Sequence, residues 1–304
     1  MFGEVHTELL RNSASVSNAS AKRILSFRLG DDIRTSTRPT SYAVSSDLYD
    51  GLDCRVGGAT RQRGVGTAVS FASITGGQIA QAVTMTSISH GKNNRRMPWS
   101  YYLSRPGQVE TMGNEPVWAQ IADGWATADK VGPNLGAISD RLLDTVQMSP
   151  QLSGAAAVRR TGRARLRWVY TGTAQPLRLS FSLESDDLRL LRLSGGNLSP
   201  RAAADFCADL ALHDWLLTAL MEAIERSRLE SDDGTAAVQK LRPVIVHLLH
   251  HWMPAARLDA EGKELWCGLD EAAGLSRQWE SLVARVRDQL AIGLLGAVAQ
   301  PDRA

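Results

Sequence analysis

The sequence predicts an α+β protein in two parts. Residues 1–150 form a β-rich domain with two helices; residues 151–304 form an antiparallel three-stranded meander followed by three long helices. Three observations carry this. Runs rich in Val, Ile, Thr and Phe flank Gly76-Gly77, three short alternating segments fall between 163 and 194, and the apolar period lengthens after Ser199.

Taken in order, "KRILSFRLG" and "GLDCRVGG" read as short strands joined by a Ser/Thr/Pro-rich connection. "GVGTAVSFASITGGQIAQAVTMTSI" reads as a β-hairpin, with Val65, Val69 and Phe71 on one face and Ala68 and Ala72 on the other. Two helices follow. Val117, Ile121 and Trp125, then Ile138, Leu142 and Val146, recur at helical intervals. "MSPQLSGAAA" has linker composition and sets the expected domain boundary.

Beyond it, "RARLRWVYT", "LRLSFSLE" and "LRLLRLS" read as the meander. Leu166, Trp168 and Tyr170 face one way and Arg163, Arg165 and Arg167 the other; Arg178 alternates with leucines in the second strand. Ser199 is the expected N-cap, with Pro200 at the first helical position, of a helix running through Arg228. A second helix is expected from about Thr235 to Met253, bent at Pro243, and a third from about Glu271 to Ala299.

Composition narrows the class. With 43% hydrophobic and 22% charged residues the chain is neither a disordered polymer nor a membrane protein. The opening segment lacks an apolar run of signal-peptide length, and the longest apolar tail, "LAIGLLGAVA", is about half of what a bilayer requires. A cytoplasmic location is expected. Cys54, Cys207 and Cys267 show no C-x-x-C spacing, so neither a zinc knuckle nor a redox pair is read. Net charge is +2, but residues 151–201 are +6 and residues 202–304 are −6.

"VIVHLLHHWMP" packs three of the six histidines together and invites a metal reading. Helical geometry argues against it. Val238, Leu241, Ile245, Leu248 and Trp252 share one stripe, whereas His247, His250 and His251 fall opposite, and His213 sits on the apolar stripe of Phe206, Leu210, Leu217, Leu220 and Ile224. The three histidines are therefore read as a solvated or partner-facing surface and His213 as a core residue. No metal ligand, cofactor or catalytic residue is assigned.

Other constellations are weaker. "GGATRQRGVG" and "SGGNLSPR" lack the lysine of a P-loop and read as turns. "HGKNNRRMPWSYYLSRPG" interleaves Lys92, Arg95 and Arg96 with Trp99, Tyr101 and Tyr102, the ingredients of a single-strand binding loop, and is read as a basic turn followed by core-anchoring aromatics. No nucleophile elbow, H-E-x-x-H or Rossmann fingerprint is present, and acidic pairs such as Asp186-Asp187 sit in turns.

The most coherent polar feature is the stripe Arg163, Arg165, Arg167, Arg178 and Arg192, extended by Arg159 and Arg160. Two readings stand: an electropositive sheet face for nucleic acid or an acidic protein, or a layer neutralised by the acidic C-terminal helices. The first expects charge reversal at Arg165 and Arg167 to abolish binding and leave the fold intact.

The segments "GEVHTELLRNSA", "RPTSYAVSSDLYDGLDCRV", "MPWSYYLSRPGQVE" and "RARLRWVY" resemble those of an uncharacterised actinobacterial protein family encoded in a conserved gene cassette beside a variant P-loop protein. The resemblance covers most of the first 200 residues and is looser in the helical third. It implies a subunit working with a nucleotide-handling partner and transfers no residue role. The expected function is a non-enzymatic cytoplasmic adaptor, its docking candidates being the arginine stripe (Arg159, Arg160, Arg163, Arg165, Arg167, Arg178, Arg192) and His247, His250 and His251. The alternatives are a nucleic-acid-binding protein using the basic sheet face and a metal-dependent enzyme of unrecognised type.

Overall fold

The computed structural model describes residues 1–11, 15–56, 62–91, 95–126, 132–152, 162–229, 241 and 248–299. Ten strands form one mixed sheet: β1 (Phe2–Leu9), β2 (Arg34–Ser36), β3 (Tyr42–Val44), β4 (Leu48–Val56), β5 (Gln62–Thr75), β6 (Ile79–His90), β7 (Gln108–Met112), β8 (Ala164–Thr171), β9 (Arg178–Leu183) and β10 (Leu188–Ser194). Among the described residues seven α-helices accompany them: α1 (Asn18–Leu25), α2 (Trp99–Leu103), α3 (Trp118–Ala126), α4 (Leu135–Gln147), α5 (Pro200–Leu229), α6 (Ala260–Ala273) and α7 (Leu275–Ala299). The architecture is α+β, and among the described residues no helix is long and apolar enough to cross a membrane.

The hairpin forms as its pattern requires. Thr75 pairs with Ile79, and the reversal passes through Gly76 and Gly77, whose φ values of 61° and 68° are open to glycine without steric cost. β5 and β6 are buried along most of their length because helices cover both sheet faces. On one face, Ala72, Ile74, Ala80 and Ala82 meet Ile24 and Leu25 of α1 and Leu142, Leu143 and Val146 of α4; further along, Phe2, Ala68 and Val169 meet Ile121 and Trp125 of α3. On the other, Arg201 at the start of α5 lies over Phe71, and Gln81 donates to the Ala208 carbonyl at 2.9 Å.

The segment Lys22–Gly30, expected as a strand, is helical in its first part. Ser17 caps α1 by accepting from the Ser20 amide, and Ala21, Ile24 and Leu25 bury one helical face. The second and larger difference concerns the meander. All three strands exist, but β10 lies parallel to β8 and between it and β9, so β9 pairs only with β10. Burial decides the order. β10 buries Leu188, Leu190, Leu191 and Leu193, each stabilising by about 1.5–3 kcal/mol, whereas β9 alternates exposed Arg178, Ser180 and Ser182 with half-buried Leu179 and Phe181 and exposed Leu183. The more apolar strand takes the inner position and the polar one the edge.

The expected boundary near residue 150 also moves. β1 pairs with β6 on one side and with β8 on the other, Phe2 opposite Val169, so the sheet runs through residue 150 without a break. The first compact unit extends to Ala211 and the division falls inside α5. The linker-like composition at 148–157 therefore marks no boundary between domains, because β8 beyond it pairs with β1 in the same sheet.

Helix α5 begins as predicted: the Ala202 amide donates to Ser199 Oγ at 3.1 Å, and Pro200 occupies the first turn. In the second unit, α6 starts at Asp259, which accepts from the Gly262 amide at 2.8 Å. It ends at left-handed Gly274, and α7 follows at once. In place of the one helix expected from Glu271 to Ala299, two helices meet at Gly274, and α6 is not among the expected elements. The helix expected over Thr235–Met253 falls largely outside the described residues, and its described end is a 3₁₀ turn at Leu249–His251.

Candidate functional site

Strand β1 places Glu4, His6 and Glu8 on the face covered by α4, alternating with Gly3, Val5 and Thr7 on the other. Glu4 is 1% and His6 0% exposed. His6 Nε2 lies 3.0 Å from Glu4 Oε1 and its Nδ1 lies 2.8 Å from Asp140 Oδ1 on α4. Both ring nitrogens therefore face carboxylate oxygens, and both hydrogen bonds are complete only when the three groups together hold two protons.

The arginines of β8 close this network. Arg167, opposite Glu4 in the ladder, donates to Glu4 Oε2 at 3.2 Å and lies over the Trp125 ring. Arg163 bridges Glu8 at 2.9 Å, Asp140 at 2.6 Å and Asp144 at 2.9 Å. Arg165 pairs with Asp187 in the turn before β10, and Arg192 with Asp123 of α3. Four members of the stripe are thus partnered on a helix-covered face. Their acids come from β1, α3, α4 and a turn rather than from the C-terminal helices that the second of the two readings invoked. Arg178 is exposed on the edge strand β9; Arg159 and Arg160 lie outside the described residues.

The network is built for structure rather than for proton transfer, because a general base needs a nitrogen open to substrate and His6 offers none. Its electrostatics set a pH dependence. Burial works to raise the Glu4 carboxyl, but the hydrogen bond from His6 and the Arg167 guanidinium outweigh it and leave the group below its usual value. Asp140 behaves likewise, burial being overcome by Arg163 and His6. For Asp187 the hydrogen bond from Ser185 leads and Arg165 adds to it. A depressed carboxyl contributes stability that is present above its unfolded value, near pH 4, and lost as pH falls through the folded value. The urea midpoint is accordingly expected to hold from pH 7 to 5 and to drop below pH 4; a flat midpoint down to pH 3 contradicts this.

The histidine surface is only partly as expected. His213 is a core residue: its Nε2 accepts from the Met253 amide at 3.3 Å, and its ring sits 5.0 Å from Trp252 and 5.1 Å from Trp266. His250 is exposed, but His251 is buried, a correction to its place among the docking residues. The turn explains it. In a 3₁₀ helix residues three apart eclipse, so His251 falls on the side of Leu248, which is also buried. His247 lies outside the described residues. Among the described residues no group of three His, Cys, Asp or Glu side chains is placed to hold a metal ion.

Burial raises the thiol of Cys207 well above its usual range, and burial followed by the Asp53 charge pushes Cys54 up to about 11. Cys267 is exposed. A disulfide reagent at pH 8 is expected to modify one thiol rapidly in the folded protein and all three after denaturation. Rapid modification of Cys207 contradicts the packing described.

The sheet face away from α4 carries the open features. A groove of about 680 Å³ has Val69 and Met85 as its floor and Tyr49, Arg34 and Arg201 in its walls. Next to it on the same face of β4, the Trp99 ring rests on Gly51, with 3.1 Å between the ring and the position a Cβ would take. Arg96 lies over that ring at 5.4 Å and reaches Asp53 at 3.2 Å, where Arg63 also binds at 2.7 Å. The aromatics of this segment were expected to anchor the core. Tyr102 does so, while Trp99 keeps 40% of its surface in solvent.

The Glu4–His6–Asp140 set was absent from the sequence reading, although the period-two spacing of Glu4, His6 and Glu8 signals one shared face. The fold and site together define a mixed-sheet protein with helices on both faces, a closed charge network beneath one helical layer and an open aromatic and basic surface on the other face. No family model matches the chain, and comparison with curated proteins and with solved structures returns no match.

Proposed function

We propose that the chain is a non-enzymatic adaptor or subunit of a cytoplasmic multi-protein system that includes a nucleotide-binding partner of the P-loop class. One observation supports this above others: the described histidine–carboxylate constellation on the sheet is sealed, His6 being fully buried with both nitrogens committed. Polar chemistry of that kind fixes α4 to the sheet and leaves the exposed surface to do the binding. The partner class rests on the resemblance of the segments around Glu4, Tyr42, Trp99 and Arg165. Native purification from a host carrying the neighbouring genes tests it. Recovery of a nucleotide-binding protein in fixed ratio is expected; a single unaccompanied species contradicts the reading.

A further inference from the structure

The surface around Trp99 carries an inference that goes beyond the adaptor reading and stands independently of it. On β4, Tyr49, Gly51, Asp53 and Arg55 share one sheet face, and Arg63 is the ladder partner of Arg55. Arg63 and Arg96 bind the same carboxylate, that of Asp53, and their side chains remain 57% and 44% exposed. Arg55 and Arg95 are exposed and make no ion pair among the described residues. Glu110 nearby is taken by Arg105 at 2.7 Å.

Two guanidinium groups thus share one carboxylate, with exposed Arg55 on the same strand face and exposed Arg95 next to Arg96 in the chain, beside an indole that rests on a bare stretch of strand, lies near the Arg96 guanidinium and keeps 40% of its surface in solvent. The chemistry selects among polyanions. An acidic peptide would satisfy the charges and leave the ring unused, and the bases of a duplex present no free face to it. An unpaired strand offers a base face for the indole together with successive phosphates for arginines spread over the surface, where a single nucleotide offers one phosphate group. Arginine suits both tasks, since its planar fork binds phosphate oxygens and stacks on rings.

We propose that this face of β4, with Arg55, Arg63, Arg95, Arg96 and Trp99, is a binding surface for single-stranded nucleic acid.

The test is fluorescence anisotropy of a labelled oligothymidylate of about 12 nucleotides with the full chain, titrated over a range of salt. Binding is expected to weaken with salt at a log–log slope of about −0.7 for each phosphate contacted, and a duplex of equal length is expected to bind less well. Trp99→Ala should weaken binding about tenfold or more, with Trp99→Phe recovering most of it. Because Trp99 also packs on Gly51, the double variant Arg55→Ala/Arg95→Ala provides a second arm: both side chains are exposed and neither holds an ion pair among the described residues, so the fold is expected to survive while the salt slope becomes shallower by about 1.4. No binding at low salt, equal competition by polyglutamate at matched charge, or indifference of both variants overturns the proposal.

Discussion

Replacing Arg167 with glutamate is expected to destabilise the first unit by about 3–5 kcal/mol, a large fraction of the roughly 5–15 kcal/mol that holds a domain folded. The guanidinium is 15% exposed and the Glu4 carboxylate it meets 2% exposed. Glu4 is also hydrogen-bonded to His6. Reversal removes the partner of a buried charge and puts a second carboxylate beside it. The stripe reading from sequence expects the opposite, a folded protein that no longer binds. Urea denaturation distinguishes the two, and a midpoint unchanged from the parent would show that Arg167 is a surface residue. Arg165→Glu is expected to cost far less, because the Arg165–Asp187 pair is half-exposed and such pairs contribute about 0–1 kcal/mol.

The second large effect lies on the other face of β1. Trp168 is fully buried and stands opposite Gly3 in the β1–β8 ladder, so its indole lies across the glycine: a Cβ at Gly3 would come within 2.2 Å of the ring. Gly3→Val is expected to destabilise by about 3 kcal/mol, since the ring can leave only by disrupting the core. The cause is space rather than backbone conformation. Trp168→Leu should therefore recover part of the loss when combined with Gly3→Val, although it is itself destabilising alone. Simple additivity of the two would show that the indole does not occupy the space above Gly3.

These residues show where sequence reading succeeds and where it stops. The Gly76-Gly77 hairpin, α4, the three strands between 164 and 194 and the Ser199 cap were legible, because each is set by neighbours within a few residues. The position of β10 between β8 and β9 was not, since it depends on which strand gains most from the buried place. Nor was the charge network. Arg163 reads as one of a row of surface arginines until β1, 155 residues away, brings Glu8 beside it. His251 illustrates a third limit: a change from 3.6 to three residues per turn rotates it by about 60° relative to Leu248, which brings it from the border of the apolar stripe onto it. The Trp99 surface was readable as composition, but whether its ring is core or open depended on the glycine beneath it.

The buried charges of β1 and β8 act as one structural unit rather than as a displayed basic face. A double-mutant cycle on Glu4→Gln and Arg167→Gln, read by urea denaturation at pH 7, tests this most directly. A coupling energy of about 1.5 kcal/mol or more is predicted, because either single change leaves the other group charged, buried and deprived of its partner. Single-variant losses that simply add, within about 0.5 kcal/mol, would contradict it.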